Sequence, residues 1–404
     1  MSKTFYALLL ILFVLQNIVR GQNTTSSILS EGDIYKLAIQ KSAVYKIDYA
    51  FLNGIEGLDV DQIDPRQIQL YSNPGGLIPQ LISKERIDDL NPINIKIIGE
   101  SDGSFDAGDY ILFYAEGPDK FNLTEGDYDF EKNFYDLYNY VFLKTGVNQV
   151  NRINQIPAVN MVEQSSNETE SIKRHEIDRI NLLAEFGGTQ GSGKQWFGES
   201  FGNNKIQDFS SSFIFPNIVP GAESKVRALL SSRSLSAYQF EINIDGHLET
   251  STHGISNTGN IEAIYSKSNI ISGEFALNNT NPVVTIEYKP QGSDGEGWLD
   301  YLEIQTREFL RFQGSPVFIV DKRSTPFSSY GYNIESDRDL EVWDISDMRN
   351  INARATTFKN GQVAFSFETE GSLKSFISFD ENAVSDSPDY VSKVSNQNIH
   401  AIER

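Results

Sequence analysis

The first residues whose types and spacing could do chemistry lie in GESDGSFDAGDYILFYAEGP, residues 99–118, where carboxylates alternate with glycine and serine. Carboxylate oxygens are preferred Ca²⁺ ligands, and an EF-hand places ligands at loop positions 1, 3, 5 and 12, with glycine at position 6. Counting from Asp102, Ser104 and Asp106 match positions 3 and 5. Position 6 is alanine and position 12 is Phe113, so the stretch is not an EF-hand.

Two interpretations of this stretch remain. Asp102, Asp106 and Asp109 are candidate ligands of a non-standard calcium loop. Asp-Gly and Ala-Gly-Asp are also ordinary turn sequences that would lead into a strand over Tyr110–Ala115. We favour the turn and predict no cofactor, and we keep the three aspartates as the candidate metal residues.

A second glycine-rich stretch, GTQGSGKQ at residues 188–195, nearly matches the phosphate-binding P-loop. The spacing from the first glycine to Lys194 is right, but the next residue should be Ser or Thr to hold magnesium and is Gln195. The stretch therefore favours a flexible loop over a nucleotide site.

The histidines are His175, His247, His253 and His400. His247 and His253 lie six residues apart around what reads as a Gly- and Ser-rich turn, which is not a typical zinc-site spacing. The sequence contains no nucleophile-elbow motif for a Ser-His-Asp triad. We therefore predict solvated surface histidines and no catalytic residues.

Composition narrows the classes of function. The 404 residues carry a formal net charge of −21, which disfavours binding to nucleic-acid phosphates. The chain contains no cysteine. A thiol nucleophile, a disulfide, an iron–sulfur cluster and a thiolate zinc site are all excluded for these residues.

The N-terminus is typical of a secretory signal. Lys3 precedes the apolar run Phe5–Leu15, which is too short to span a bilayer comfortably. We predict a signal peptide over residues 1–21 and export from the cell. An uncleaved membrane anchor is the alternative.

Beyond the signal, short alternating runs indicate an all-β fold with few helices. In Tyr238–Asp245 apolar and polar residues alternate, and Asp245-Gly246 is the sequence of a tight hairpin turn. Similar runs predict the strands 44–48, 68–71, 110–115, 140–143, 283–288, 299–306, 340–344, 363–367 and 375–379. This pattern predicts consecutive β-sandwich or jelly-roll-like domains.

The predicted domain organisation follows from these runs. After the signal, we expect a β-rich domain over residues 22–160 and a linker over 161–170, where MVEQSSNETE has almost no core-forming residue. A jelly-roll-like β-sandwich over 171–310 and a β-rich connecting domain over 311–404 complete the chain.

Several runs together resemble the N-terminal region of the type IX secretion sortase of Bacteroidota, a gingipain-type cysteine peptidase family. Their order and spread cover nearly all of the predicted mature chain. The runs are VYKIDYAFL (44–52), VDQIDPRQIQLY (60–71), FDAGDYILFYAEGPDKF (105–121), KQWFGESF (194–201), GWLDYLEI (297–304) and LEVWDISD (340–347).

The resemblance implies β-rich N-terminal domains followed by a caspase-like α/β catalytic domain with a His–Cys dyad. It implies an endopeptidase and transpeptidase at the outer-membrane surface of a Gram-negative bacterium, which removes the C-terminal signal of secreted cargo and attaches cargo to lipopolysaccharide. The implied partners are other type IX secretion components, cargo C-terminal domains and the downstream peptidase domain. The resemblance also implies that the protein associates with the outer-membrane surface and does not span the membrane.

The chain departs from the family at its end. The run VSNQNIHAIER, residues 394–404, resembles the segment just ahead of the catalytic domain, and His400 belongs to that segment and not to the dyad. No catalytic position of the family is present, so no catalytic residue is carried over. We predict a non-catalytic N-terminal portion without activity of its own; a fragment, a split gene or a deliberately shortened chain would each give this sequence.

A second class of function stays open. A stand-alone secreted carbohydrate-binding or adhesin-like β-sandwich protein could use Trp196, Trp298 or Trp343 as an aromatic platform. Trp298 and Trp343 lie next to or inside strand patterns, which favours core positions for both.

Overall fold

The computed structural model describes residues 26–123, 128–181, 195–202, 205–256 and 265–401. The predicted signal peptide, residues 1–21, and all of GTQGSGKQ except Gln195 lie outside the described residues. The chain forms two compact units, neither of which is continuous in sequence. Unit 1 contains residues 1–154, 347–352 and 384–404, and unit 2 contains residues 155–346 and 353–383.

Unit 1 contains one α-helix, α1 (Tyr49–Asn53), which is the only α-helix among the described residues. The Asp48 carboxylate caps it by accepting a hydrogen bond from the Phe51 amide at 2.9 Å, and the helix ends at Gly54. The strands of unit 1 are β1 (Ile34–Ile39), β2 (Ala43–Asp48), β3 (Gln69–Ser72), β4 (Asn91–Ile93), β5 (Lys96–Ile98), β6 (Tyr110–Ala115), β7 (Lys120–Leu123), β8 (Tyr128–Glu131), β9 (Asn139–Lys144) and, after all the strands of unit 2, β27 (Asp389–Lys393).

The core of unit 1 lies between a sheet of order β27-β1-β9-β3-β4 and a sheet of order β2-β6-β5. Buried side chains of both sheets contribute to this core, and within the second sheet the cross-strand partners Tyr45 and Phe113 stack with ring centroids 5.7 Å apart. The predicted strand Tyr110–Ala115 is confirmed with those bounds and is buried along almost its whole length.

Unit 2 contains two β-sandwiches. The strands are β10 (Gln155–Ile156), β11 (Gln164–Ser166), β12 (Glu168–Glu176), β13 (Ile206–Asp208), β14 (Ala222–Arg233), β15 (Tyr238–Ile244), β16 (His247–His253), β17 (Lys267–Leu277), β18 (Val284–Pro290), β19 (Glu296–Phe309), β20 (Val317–Val320), β21 (Ser329–Glu335), β22 (Glu341–Asp344), β23 (Asn352–Arg354), β24 (Thr357–Lys359), β25 (Gln362–Glu368) and β26 (Ser375–Phe379).

The first sandwich packs a sheet of order β12-β19-β14-β17 on a sheet of order β13-β18-β15-β16 around a core rich in phenylalanine and isoleucine. The predicted hairpin turn is confirmed, because Asp245 and Gly246 have φ values of 53° and 90°. Positive φ at both central residues is the type I′ geometry that matches the twist of the flanking strands.

The second sandwich packs a sheet of order β10-β23-β22-β26-β20 near a sheet of order β11-β21-β25-β24. Strands β10 and β11 join these sheets in parallel pairing, although they precede the first sandwich in sequence. Residues 161–170, expected to be a linker, therefore contain β11 and the start of β12. The domain division at 160, 170 and 310 stays a prediction.

The prediction of an all-β fold made of consecutive β-sandwiches with few helices is confirmed. Apart from α1, helical backbone among the described residues is confined to three-residue 3₁₀ turns. They are Ile28–Ser30, Val60–Gln62, Pro65–Gln67, Glu100–Asp102, Ser210–Ser212, Lys322–Ser324, Glu381–Ala383 and Ile399–Ala401. Within the described part of the chain, no helix has the length and apolar character needed to cross a membrane.

Candidate functional site

The acidic loop before β6 is built as a turn whose carboxylates bind its own backbone. Asp102 accepts a hydrogen bond from the Ser104 amide at 3.0 Å, and Asp109 accepts one from the Asp106 amide at 2.8 Å. Gly99 adopts φ +93°, and a β-carbon there would collide with the Asp109 carboxylate. The glycine is therefore required both by the left-handed backbone and by the close carboxylate.

Two arginines border the acidic loop. Arg152 Nε donates to Glu100 at 2.9 Å, and the Arg66 guanidinium lies against Gly103. No group of three acidic, histidine or cysteine side chains with metal-site spacing occurs within the described ranges. In this turn the Asp102 and Asp109 carboxylates accept backbone hydrogen bonds, and Asp106 takes part through its amide and carbonyl. That the loop is a turn and not a calcium site stays a prediction, which thermal unfolding with and without calcium would check.

One set of paired, largely buried charged side chains was not predicted from the sequence. It lies on the face of β19 opposite the core, and we call it the Glu303 cluster. It comprises Arg174, Glu176, Arg227, Asp300, Tyr301 and Glu303.

The pairing register of the sheet brings the central residues of the Glu303 cluster together. Arg174 on β12 and Arg227 on β14 are the cross-strand partners of Glu303 on either side. Both guanidinium groups donate to the Glu303 carboxylate, Arg227 at 2.8 Å, and Arg174 also lies 3.8 Å from the centroid of the Tyr301 ring. Glu303 is thus buried with two cations, the arrangement that a buried carboxylate requires.

Asp300 enters the cluster through a β-bulge. Leu229 pairs with Tyr301 and Leu230 with Leu299, so Asp300 is the extra residue of β19. Its carboxylate accepts a hydrogen bond from Gln195 Nε2 at 2.9 Å. Burial raises the pKa of Asp300 to about 6, and this hydrogen bond opposes the rise only in part.

The raised pKa gives a pH-dependent prediction. The folded state binds the Asp300 proton more tightly than the unfolded chain, so this contribution to stability is full below pH 3.8 and is lost as the pH rises to about 6. Asp300→Asn should therefore raise the free energy of unfolding by about 1–3 kcal/mol near neutral pH, where the ionised carboxylate is unfavourable. The gain should shrink towards pH 4 in denaturant titrations. A variant that is less stable at both pH values would contradict this prediction.

The histidine side chains are partly buried, whereas the sequence predicted solvated surface histidines. His247 and His253 lie on β16 and not around a turn, and six strand residues separate them by about 20 Å, so they cannot share a zinc ion. Their side chains face the sandwich interior with those of Glu249 and Ser251. His247 contacts Glu249 at 2.7 Å, and His253 contacts Ser251 at 2.6 Å.

His175 forms a nucleophile–base–acid arrangement that sequence reasoning missed. Its Nδ1 lies 2.9 Å from Ser212 Oγ and its Nε2 lies 3.0 Å from Glu199 Oε1. Burial acts to raise the pKa of Glu199, but the hydrogen bond and charge of His175 outweigh it and hold that pKa below its usual value.

This arrangement lacks a feature that acyl transfer needs. The amides of Ser212 and Phe213 donate to the carbonyls of Phe209 and Ser210, so neither can stabilise an oxyanion beside the serine. The His175 ring also packs edge-on against Phe209, with centroids 5.0 Å apart. The contacts of His175 therefore hold β12 against neighbouring segments. Among these residues they do not form a complete hydrolytic site.

The three tryptophans differ in exposure. Trp343 is fully buried, Trp298 is 4% exposed, and Trp196 is 40% exposed. Trp298 packs with Phe197 in a small apolar cluster. The structure thus places Trp298 and Trp343 in cores, as favoured from the sequence, and leaves Trp196 accessible.

No protein-family model matches the chain, and no curated protein sequence matches it. Among solved structures, it is similar to dimeric latent PorU from Porphyromonas gingivalis, with a TM-score of 0.77 and 18% identity. The likeness covers 95% of this chain and 35% of PorU, so this chain spans about a third of the length of that protein. At this identity the likeness establishes the fold and leaves activity open.

A second similarity is local. The CBM36-1 domain of a multidomain xylanase from the hindgut metagenome of Trinervitermes trinervoides aligns with 33% of this chain and 95% of that domain, at 13% identity and a TM-score of 0.20. A score this low supports no conclusion about a shared site.

Proposed function

We propose that this chain is the non-catalytic N-terminal portion of a type IX secretion sortase. The observation that carries the proposal is the PorU-like fold, which extends over 95% of the chain at a TM-score of 0.77. Six sequence runs spread from residue 44 to residue 347 support the same family independently of the fold. The absence of cysteine from all 404 residues supports a role without cysteine catalysis.

In this proposal the chain is exported and acts at the cell surface in a larger sortase. That sortase removes the C-terminal signal of secreted cargo and attaches the cargo to lipopolysaccharide. The β-sandwiches place the peptidase domain and contact cargo C-terminal domains or other secretion components. The Glu303 cluster supports a rigid scaffold, because buried, mutually paired charges fix strand register.

The test is a cleavage assay. The purified chain, a cargo C-terminal domain and an amine acceptor are incubated together, first alone and then with a separately expressed catalytic domain. We expect cleavage only in the second mixture. Specific cleavage by the chain alone that survives repurification would overturn the proposal, and its loss in Ser212→Ala would trace the activity to the His175 arrangement.

The carbohydrate-binding alternative rests on one accessible tryptophan. Trp196 is exposed, whereas Trp298 and Trp343 are buried and cannot form a platform without unfolding. Glycan-array binding that is lost in Trp196→Ala would favour this alternative; binding without that loss would not.

A further inference from the structure

Two loops of unit 1 expose large apolar side chains. One loop, residues 73–90, connects β3 to β4, and the other, residues 132–138, connects β8 to β9. The side chains on both loops are between 43% and 93% exposed. They are Ile78, Leu81, Ile82, Ile87, Phe134, Tyr135 and Leu137, which together we call the loop face.

Sheet pairing brings both loops to the same end of unit 1. Ser72, the last residue of β3, pairs with Val141 near the start of β9. Asn139 Nδ2 donates to the Asn73 carbonyl at 3.3 Å, and the Leu77 amide donates to Glu131 at 2.5 Å. The loop 73–90 is thus tied to the first residue of β9 and the last residue of β8, the two positions between which the loop 132–138 runs.

The loop face is large for an apolar surface that is exposed only to solvent. Summed over both loops, the seven side chains expose on the order of 1,000 Å², whereas the largest contiguous apolar patch of a typical monomer is roughly 300–600 Å². Interfaces between domains of one chain bury about 600–1,500 Å² in total, so the face is sufficient for a docked domain.

Both ends of the described chain meet the loop that carries this face. The Asp89 carboxylate accepts hydrogen bonds from Ser27 Oγ at 3.0 Å and from the Ile28 amide at 2.7 Å. Asn398 accepts one from the Ser27 amide at 3.0 Å, and His400 Nδ1 lies 3.6 Å from Asp88. The described chain therefore ends, at Ala401, close to Asp88 and Asp89 of the loop 73–90.

We propose that the loop face is the docking surface for the domain that follows residue 404 in the longer protein. This inference rests on the proposed function, which supplies that domain. A domain joined within a few residues of the face has an effective concentration of about millimolar, so even a weak apolar contact is mostly occupied. A second copy or a membrane would have to bind from solution without that advantage, and Asp88 and Asp89 disfavour an anionic lipid surface.

The test compares hydrogen exchange in two lengths of the protein. The full product of the intact reading frame and the 404-residue chain are measured at equal, low concentration. We expect the amides of residues 78–87 and 134–137 to exchange at least about tenfold more slowly in the longer protein. Residues around Ile270, an exposed isoleucine on β17 of unit 2, are the internal control and should not change.

Substitutions make the test specific. In the full-length protein, the double variant Leu81→Asp, Ile82→Asp should remove the slower exchange, whereas Ile270→Asp should preserve it. Unchanged exchange of the loop face between the two lengths would overturn the inference while the proposed function stands. Protection that rises with protein concentration would assign the face to a second copy, and protection only on added phosphatidylethanolamine vesicles would assign it to lipid; both overturn it. A locus that encodes no further domain, in frame or beside this gene, would overturn the inference and the proposed function together.

Discussion

Asp321→Ala is expected to lower the free energy of unfolding of unit 2 by about 3–5 kcal/mol. Asp321 is fully buried and accepts hydrogen bonds from Arg307 Nη2 at 2.6 Å and from the Arg323 amide at 2.9 Å. Removing the carboxylate leaves the Arg307 guanidinium, which is 15% exposed, without its closest partner. All three tryptophans belong to unit 2, so their fluorescence in a urea titration reports this transition.

The matched control is Asp337→Ala. Asp337 also pairs with an arginine, Arg338, at 2.8 Å, but the Asp337 side chain is 72% exposed. Exposed ion pairs contribute roughly 0–1 kcal/mol, so this variant should unfold close to the parent. Equal losses of unfolding free energy in the two variants would show that burial does not determine how much the Asp321 network contributes to stability.

Phe376→Ala should cost about 3–5 kcal/mol, because it removes the centre of the aromatic core of the second sandwich. The Phe376 ring is fully buried and lies 4.6 Å from the Phe367 centroid and 5.0 Å from that of Phe365. The same fluorescence-detected urea titration measures the loss.

Phe358→Ala is the control for this cavity. Phe358 lies on the edge strand β24 of the same sandwich and is 42% exposed, so its truncation should cost much less. The stability of Phe376→Leu, which retains most of the buried volume, should lie between those of Phe376→Ala and Phe358→Ala. A Phe376→Ala variant as stable as Phe358→Ala would mean that the core lies elsewhere.

The local β pattern was predictable because each half-buried strand has its own period of two. The predicted run 375–379 is the strand β26, and the run beginning at Tyr238 is β15. Strand β16 has the same alternation, but its inward residues are polar, so hydrophobicity gave no signal. Inward polar groups on an edge strand are a known protection against edge-to-edge pairing.

Long-range connectivity was not predictable from these patterns. Strand β27 pairs with β1, and Gln40 bonds to Asp389 across 349 residues of sequence. Strands β10 and β11 likewise pair with β23 and β21, far along the chain. The residues of a strand specify which of its faces is apolar but not which strand it pairs with. The discontinuity of the two units therefore cannot be recognised from local sequence.

The side-chain clusters were missed for the same reason. Ser212 and Glu199 lie 37 and 24 residues from His175, a separation that matches no motif. Arg174 and Arg227 meet Glu303 only through sheet register. One local clue was available: an acidic residue inside the apolar run of β19 implies a buried charge that needs a partner.

The central proposal is that this chain is the non-catalytic N-terminal part of a longer sortase. Sequencing the source locus past codon 404 tests it most directly. The account predicts a continuous frame, or an adjacent one, encoding an α/β domain with a histidine and a cysteine in position for a dyad. A locus that encodes no such domain in frame or beside this gene would contradict the account.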